Sequence, residues 1–261
     1  MNKRKKIGLV LSGGGARGIG HLGILKALEE CGIRPSLISG TSAGALMGAM
    51  YAAGHSPFDI LQFTKSTKLF SLSNLEFGEA GIFNMKSLED ALLKYIPENT
   101  FESLKIPLYV AATDIVKGET VYFSSGRLSD TLLASACIPF VYKPILYSNL
   151  LLLDGGILNN CPVEPLEGKC DTLIGVHMNS LSKKMEHLNL KDIVDRSFHF
   201  ALSHSVYSKV EKFHLFLDPP DMSRFGMFDM AAADEIFSFT YAYAMQRQDE
   251  IVREAVSGKQ I

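Results

Sequence analysis

Two short apolar runs that break abruptly into glycine constrain this chain more than any other feature. Ile7 to Leu11 leads into Gly13-Gly14-Gly15, and Leu37 to Ser39 leads into Gly40-Thr41-Ser42-Ala43-Gly44. A short apolar run bounded by glycine is the pattern of a strand buried on both faces. Behind each glycine turn the period becomes helical. Ile19, Leu22, Leu25, Lys26, Leu28 and Glu29 recur at helical spacing, and Gly32 lies just past the end, where a helix C-cap favours glycine. Ala43 to Ala53 reads as a second helix, with a small-residue face of Gly44, Gly48 and Ala52 suited to close packing on a sheet.

The strand–turn–helix pattern continues along the chain. Ser56-Pro57-Phe58-Asp59 starts a helix with a capping serine and a proline in the first turn. From Phe70 to Phe83 the period is lost, and Phe70, Leu72, Leu75, Phe77, Ile82 and Phe83 are interrupted by glycine, serine and asparagine. This is a candidate lid. Ser87 to Asp90 opens a helix ending near Pro97. Pro107 to Thr113 and Thr120 to Phe123 read as strands joined at Gly118, and Ser129 to Ala136 as a short helix. Ile145-Leu146 and Leu150 to Leu153 form a predicted hairpin that delivers Asp154-Gly155-Gly156. Thr172 to Met178 is a further buried strand, Lys191 to Val210 a helix, Phe213 to Leu217 a strand, and Ala231 to Val256 one long terminal helix. Without repeats or linkers, this alternation predicts a single α/β domain over residues 1–261 with a mainly parallel sheet. The motifs fall in a core of about 5–178, followed by a C-terminal strand and helices in 179–261.

Composition narrows the function. The 261 residues are 47% hydrophobic and 21% charged with a net charge of −2, so a large core is available and nothing marks a nucleic-acid partner. Cys31, Cys137, Cys161 and Cys170 form no C-x-x-C pair, fit no zinc spacing, and read as reduced core thiols. The basic stretch Met1 to Lys6 precedes an apolar run too short for a signal peptide. Pro35 to Phe58 has no charge, but its serines and threonine dilute it. A buried strand, a sharp turn and a buried helix explain it better than a membrane span. The expected location is the cytoplasm, with transient contact to a membrane surface through apolar loops and Lys3 to Lys6. Phe237, Phe239, Tyr241 and Tyr243 of the terminal helix could support a homodimer.

Three motifs carry chemistry. Gly13-Gly14-Gly15-Ala16-Arg17-Gly18 lies between a strand and a helix, where backbone amides can hold an anion. Its spacing also matches a dinucleotide fingerprint, but the second strand ends in Ser39-Gly40-Thr41-Ser42 rather than an acidic residue, and Arg17 adds a cation suited to an oxyanion. Gly40-Thr41-Ser42-Ala43-Gly44 is a G-x-S-x-G at a strand–helix turn, where glycines two positions either side of the serine avoid a clash. Asp154-Gly155-Gly156 ends an apolar strand and could place a carboxylate base against another loop. By itself it is also an ordinary Asp-Gly turn.

Together and in this order, the motifs resemble the signature of patatin-like phospholipases. So do Ala111-Ala112-Thr113-Asp114, Ala134 to Pro139 and Asn159-Asn160-Cys161-Pro162, and the similarity runs from about Lys5 to Met178. The resemblance implies a three-layer α/β/α sandwich, a Ser42–Asp154 dyad and an oxyanion loop at Gly13 to Gly18. It also implies hydrolysis of lipid esters without metal or cofactor. In that mechanism Asp154 takes the Ser42 proton, and amides around Gly14 and Gly15 hold the oxyanion with Arg17 as an added cation. Ile138, Phe140, Val141 and Ile145 would wall the acyl cleft. Two alternatives remain open at this point. One is an acyltransferase or hydrolase with a Ser–His–Asp triad, for which His177 is the candidate; acyltransferases typically set a histidine beside the elbow serine, where this chain has Thr41. The other is a silent lipid-binding module.

Overall fold

The structure is a computed structural model and describes residues 5–67, 85–180 and 205–257. Its centre is a mixed, mostly parallel sheet. The strands are β1 (Ile7–Leu11), β2 (Leu37–Thr41), β3 (Leu108–Asp114), β4 (Glu119–Phe123), β5 (Ile145–Tyr147), β6 (Leu150–Asp154), β7 (Thr172–Val176) and β8 (Leu215–Leu217). They lie in the order β5-β6-β3-β2-β1-β7-β8, with β4 also paired to β3. The helices are α1 (Gly20–Glu30), α2 (Ala43–Ala53), α3 (Pro57–Thr67), α4 (Lys86–Tyr95), α5 (Leu128–Ser135), α6 (Ala233–Gln246) and α7 (Gln248–Ser257).

Strand β1 shows why the run at Ile7 to Leu11 is apolar throughout. Leu9 and Leu11 join the larger core, with α1, α2, α3 and α6, while Val10 joins a separate cluster on the other face with Cys161, Val163, Leu166 and Val206. Covered on both sides, the strand has no position where a charged side chain would reach water. The uncharged stretch at Pro35 to Phe58 resolves into β2, a turn and α2, as its composition predicts. Among the described residues no helix is long and apolar enough to cross a membrane.

Registry explains how two strand ends meet. Strand β4 pairs antiparallel with Val110 to Asp114 and so occupies one edge of β3 along that length. Strand β2 pairs with Leu108 to Ala111, and β6 pairs with Ala112 to Asp114. A strand has two edges, so β2 and β6 must share the other one end to end. Thr41 lies opposite Ala111 and Asp154 opposite Ala112. The chain leaving β2 at Ser42 therefore departs where Asp154 arrives.

The terminal helix departs from the sequence expectation. It breaks at Arg247, whose amide reaches back to Ala244 and whose guanidinium pairs with Glu250. Asp249 and Glu250 then give α7 an acidic first turn, favourable at a helix N-terminus. Phe237, Phe239, Tyr241 and Tyr243 pack against the chain's own core. The lid at Phe70 to Phe83 and most of the Lys191 to Val210 helix fall outside the described residues.

His21 on α1 is fully buried, with Nε2–H donating to the Ser12 carbonyl at 2.8 Å and Nδ1 without a partner. Burial lowers its pKa from 6.5 to about 4; the Ser12 bond opposes the shift and the neighbouring charge of His177 adds to it. As pH falls through about 6.5, the unfolded chain takes up a proton that folded His21 refuses. Stability on the order of 3 kcal/mol is thus lost between about 6.5 and 4. Asp154, whose carboxyl pKa is raised on folding, opposes this trend over part of the range. The contribution is isolated by comparing urea midpoints of the wild type and His21→Gln at pH 7.5 and 4.5. The variant should lose less stability on acidification, and equal losses would exclude His21 as the source.

Candidate active site

Ser42 sits between β2 and α2 with φ 51° and ψ −123°, a conformation that non-glycine residues rarely adopt. The flanking glycines permit it by close approach. A Cβ on Gly44 would lie 2.4 Å from the Leu11 carbonyl oxygen, and one on Gly40 would lie 2.7 Å from the Ala45 nitrogen. Neither atom is the flexible end of a side chain, so the turn cannot be this sharp with larger residues. Beside the serine, Thr41 donates its hydroxyl to the Asn159 carbonyl at 2.9 Å. The Asn159 side-chain amide is tied in turn to Tyr122 and Glu164. Ala43 begins α2 and lies against Gly18 of the first glycine loop.

The turn delivers the Ser42 hydroxyl to Asp154, and Oγ donates to Oδ2 at 2.7 Å. The other carboxylate oxygen accepts the Gly156 amide at 2.8 Å, and Gly155 lies against the Ala111 carbonyl. Ser42 is 6% exposed and Asp154 8%. Burial raises the Asp154 pKa from 3.8 to about 6, against the opposing pull of the Ser42 and Gly156 hydrogen bonds.

The Gly13-Gly14-Gly15 loop borders the same space, and two asparagines grip the backbone on either side of Gly13. Asn160 Oδ1 accepts the Gly13 N–H at 3.0 Å, and Asn179 Nδ2 donates to the Gly13 carbonyl at 2.7 Å. Further along, Ala16 donates its amide to the Met227 carbonyl at 2.7 Å, with Gly15 at φ 57°. Arg17 is buried and turns Nε to the Phe225 carbonyl and a terminal nitrogen toward Asn179, so its guanidinium fastens the loop to the 225–227 segment. Gly15 opens a helical turn, so its amide has no intrahelical acceptor. Among the described residues nothing accepts from the Gly14 or Gly15 amide.

These groups line a cleft of about 440 Å³, open space at its mouth included, together with Ile138, Pro139, Ile157 and Met227. No histidine is among its lining residues. His177 is fully buried and bonds Asp218 through Nδ1 at 3.1 Å, packed against Tyr207 and Phe216. Of the expected acyl walls only Ile138 lines the cleft. Phe140, at φ 67° after Pro139, turns outward and is 99% exposed, while Ile145 packs into a small cluster with Leu152. Cys137 and Cys161 are buried thiols whose pKa values burial pushes up to about 12, in keeping with core residues.

Asn160, Asn179 and Met227 carry no role in the sequence reading. Asn160 lies in a quoted motif, and Asn179 lies three residues past β7, at the carboxyl end of a buried strand, where open α/β sheets place ligands. Those two positions are signals; Met227 has none.

Comparison with known proteins agrees with this architecture. The chain is 35% identical to an uncharacterised NTE family protein of Mycobacterium tuberculosis, over 67% of this chain and 49% of the relative. It is 27% identical to the lysophospholipase nte1 of Aspergillus niger, over 96% of this chain and 18% of that protein. The chain thus spans about half the length of its mycobacterial relatives and much less of the fungal one. Among solved structures, VipD from Legionella pneumophila shares the fold, with a TM-score of 0.54 at 16% identity over 95% of this chain and 67% of that one. The model of the patatin-like phospholipase family matches residues 9–167, more than half of the sequence, and the chain belongs to that family.

Proposed function

We propose that this chain is a serine hydrolase of lipid carboxylic esters that works with Ser42 and Asp154 alone. The observation that carries the reading is the direct 2.7 Å hydrogen bond from the Ser42 hydroxyl to Asp154, made at a strained turn beside two free loop amides. Ser42 Oγ attacks the acyl carbonyl as its proton passes to Asp154 Oδ2. The Gly14 and Gly15 amides receive the developing oxyanion, a contribution of about 3–4 kcal/mol per donor in comparable sites. Asp154 then protonates the departing alkoxide, and water, deprotonated by the same carboxylate, releases the fatty acid. A carboxyl raised to about 6 is a far better base at neutral pH than an ordinary aspartate. The apolar lining of Ile138, Pro139, Ile157 and Met227 suits an acyl chain, and the family and the fungal lysophospholipase relatives support a lipid substrate.

A triad through His177 has no support in the geometry, because that ring does not line the cleft and Ser42 Oγ donates directly to Asp154 instead. A silent lipid-binding module would not label with a fluorophosphonate, whereas the proposed enzyme labels at Ser42. In folded variants, Ser42→Ala and Asp154→Asn should each reduce turnover of a short nitrophenyl ester by about a thousandfold or more. His177→Ala should stay within about tenfold of wild type, roughly 1.4 kcal/mol of barrier. A thousandfold loss in folded His177→Ala would sink the dyad.

The pH profile follows from the same group. The reaction needs Asp154 without its proton, so kcat/KM should rise with pH through a midpoint near 6 and level off above it. A flat profile between pH 5 and 8 would contradict a buried carboxylate base.

Access to aggregated lipid is part of the reading. Phe140 is one residue from the cleft wall at Pro139, and Leu158, 39% exposed, is one residue from Ile157. We expect these side chains to enter a lipid surface at the cleft mouth. Phe140→Ser should then lower turnover of phospholipid vesicles by about tenfold, of the order expected for losing one buried aromatic. Turnover of a soluble monomeric ester should be unchanged. Equal effects on both substrates would remove Phe140 from interfacial contact.

A further inference from the structure

Where β2 ends, its backbone loses its partner. Thr41 is the last residue of β2 in register with β3, opposite Ala111, and the chain then swings out through the left-handed turn at Ser42. The Ser42 N–H and the Ala111 carbonyl are left on either side of a gap inside the protein. Burying both without partners would cost about 1–3 kcal/mol for each group. Ser135, the last residue of α5 and fully buried, fills the gap with its hydroxyl. It accepts the Ser42 N–H at 2.8 Å and donates to the Ala111 carbonyl at 2.6 Å. Two residues further on, the Cys137 carbonyl accepts the Asp154 N–H at 2.9 Å. The segment itself is anchored, since the amides of Ala136 and Cys137 bond back to carbonyls of α5. The next two residues, Ile138 and Pro139, line the cleft.

We infer that Ser135 is a positioning residue for the reaction, and that residues 135–137 form a bracket setting the Ser42 hydroxyl against the Asp154 carboxylate. The main chains of both reacting residues hang on this one segment, Ser42 through a side-chain hydroxyl and Asp154 through a backbone carbonyl. Only the first link can be removed by substitution. Without it, the strained turn at Ser42 keeps its covalent path but loses the bond that holds its amide. The Oγ-to-Oδ2 contact at 2.7 Å is then no longer enforced. The consequence falls on the chemical step, because Ser135 is not a lining residue of the cleft. The inference rests on Ser42 being the nucleophile.

The test compares wild type with Ser135→Ala, Ser135→Thr and Ser135→Cys, using a soluble short-chain nitrophenyl ester, a fluorophosphonate probe and thermal unfolding. Threonine retains the hydroxyl. Cysteine keeps the volume with a much weaker donor and acceptor, so it remains informative if the alanine variant does not fold. For folded Ser135→Ala we expect kcat about a hundredfold lower with KM within about twofold, and labelling of Ser42 slowed in parallel. The midpoint of the kcat/KM profile should also move to higher pH, because a displaced Ser42 no longer stabilises the Asp154 carboxylate through its hydrogen bond. Ser135→Thr should recover most of kcat, and Ser135→Cys should fall between. A folded alanine or cysteine variant with near-wild-type kcat and labelling, an unmoved pH midpoint and only a lowered Tm would overturn the inference, leaving Ser135 as a stabilising hydrogen bond alone. A wild-type chain that neither turns over ester nor labels would overturn the Ser42 reading and this inference together.

Discussion

Everything at the site depends on the divided edge of β3. Because β4 takes the opposite edge, β2 and β6 are forced to share one line, and their ends must face each other between Ala111 and Ala112. Two strands cannot both continue there. The chain from β2 leaves through a turn at φ 51°, a conformation costing on the order of 1–3 kcal/mol, and β6 stops with its aspartate in the space released. Sheet topology brings the turn at Ser42 and the end of β6 at Asp154 to the same place.

The same crowding sets the electrostatics. Asp154 is buried by the elements that converge on the gap, and that burial outweighs its two hydrogen bonds in fixing its proton affinity. On the other side of Ser42, the Gly13 N–H and the Gly13 carbonyl are each held by an asparagine. Neutral amides orient the loop without adding a charge beside Ser42. The buried cation nearby, Arg17, is directed to the Phe225 carbonyl and Asn179.

What the sequence reveals and what it hides divide along a physical line. Gly40 and Gly44 are legible because the backbone leaves no room for another residue, and such a constraint writes itself into local sequence. The apolar runs of β1 and β7 are legible because both of their faces are covered. Met227 acts through a partner 211 positions away along the chain, which no local pattern encodes; the positions of Asn179 and Ser135 are legible, but their partners, 166 and 93 positions away, are not. Phe140 escapes a sequence reading for a related reason. Its apolar character predicts a wall, but the left-handed backbone after Pro139, which decides its direction, has no signature in a phenylalanine. The break at Arg247 is equally quiet, since Gln246, Arg247 and Gln248 are all acceptable within a helix.

The link from Ala16 to Met227 also bears on the order in which the molecule is made. Ribosomal synthesis runs from the amino end, so a nascent chain holds Ser42 and Asp154 well before it holds Asn179 or Met227. Until those residues emerge, the glycine loop lacks the grip on the Gly13 carbonyl and the acceptor for the Ala16 amide. Both residues of the Ser42–Asp154 contact are thus made early in translation, and the partners of the glycine loop beside it are made late. A chain cut short before residue 227 carries the pair without a completed loop.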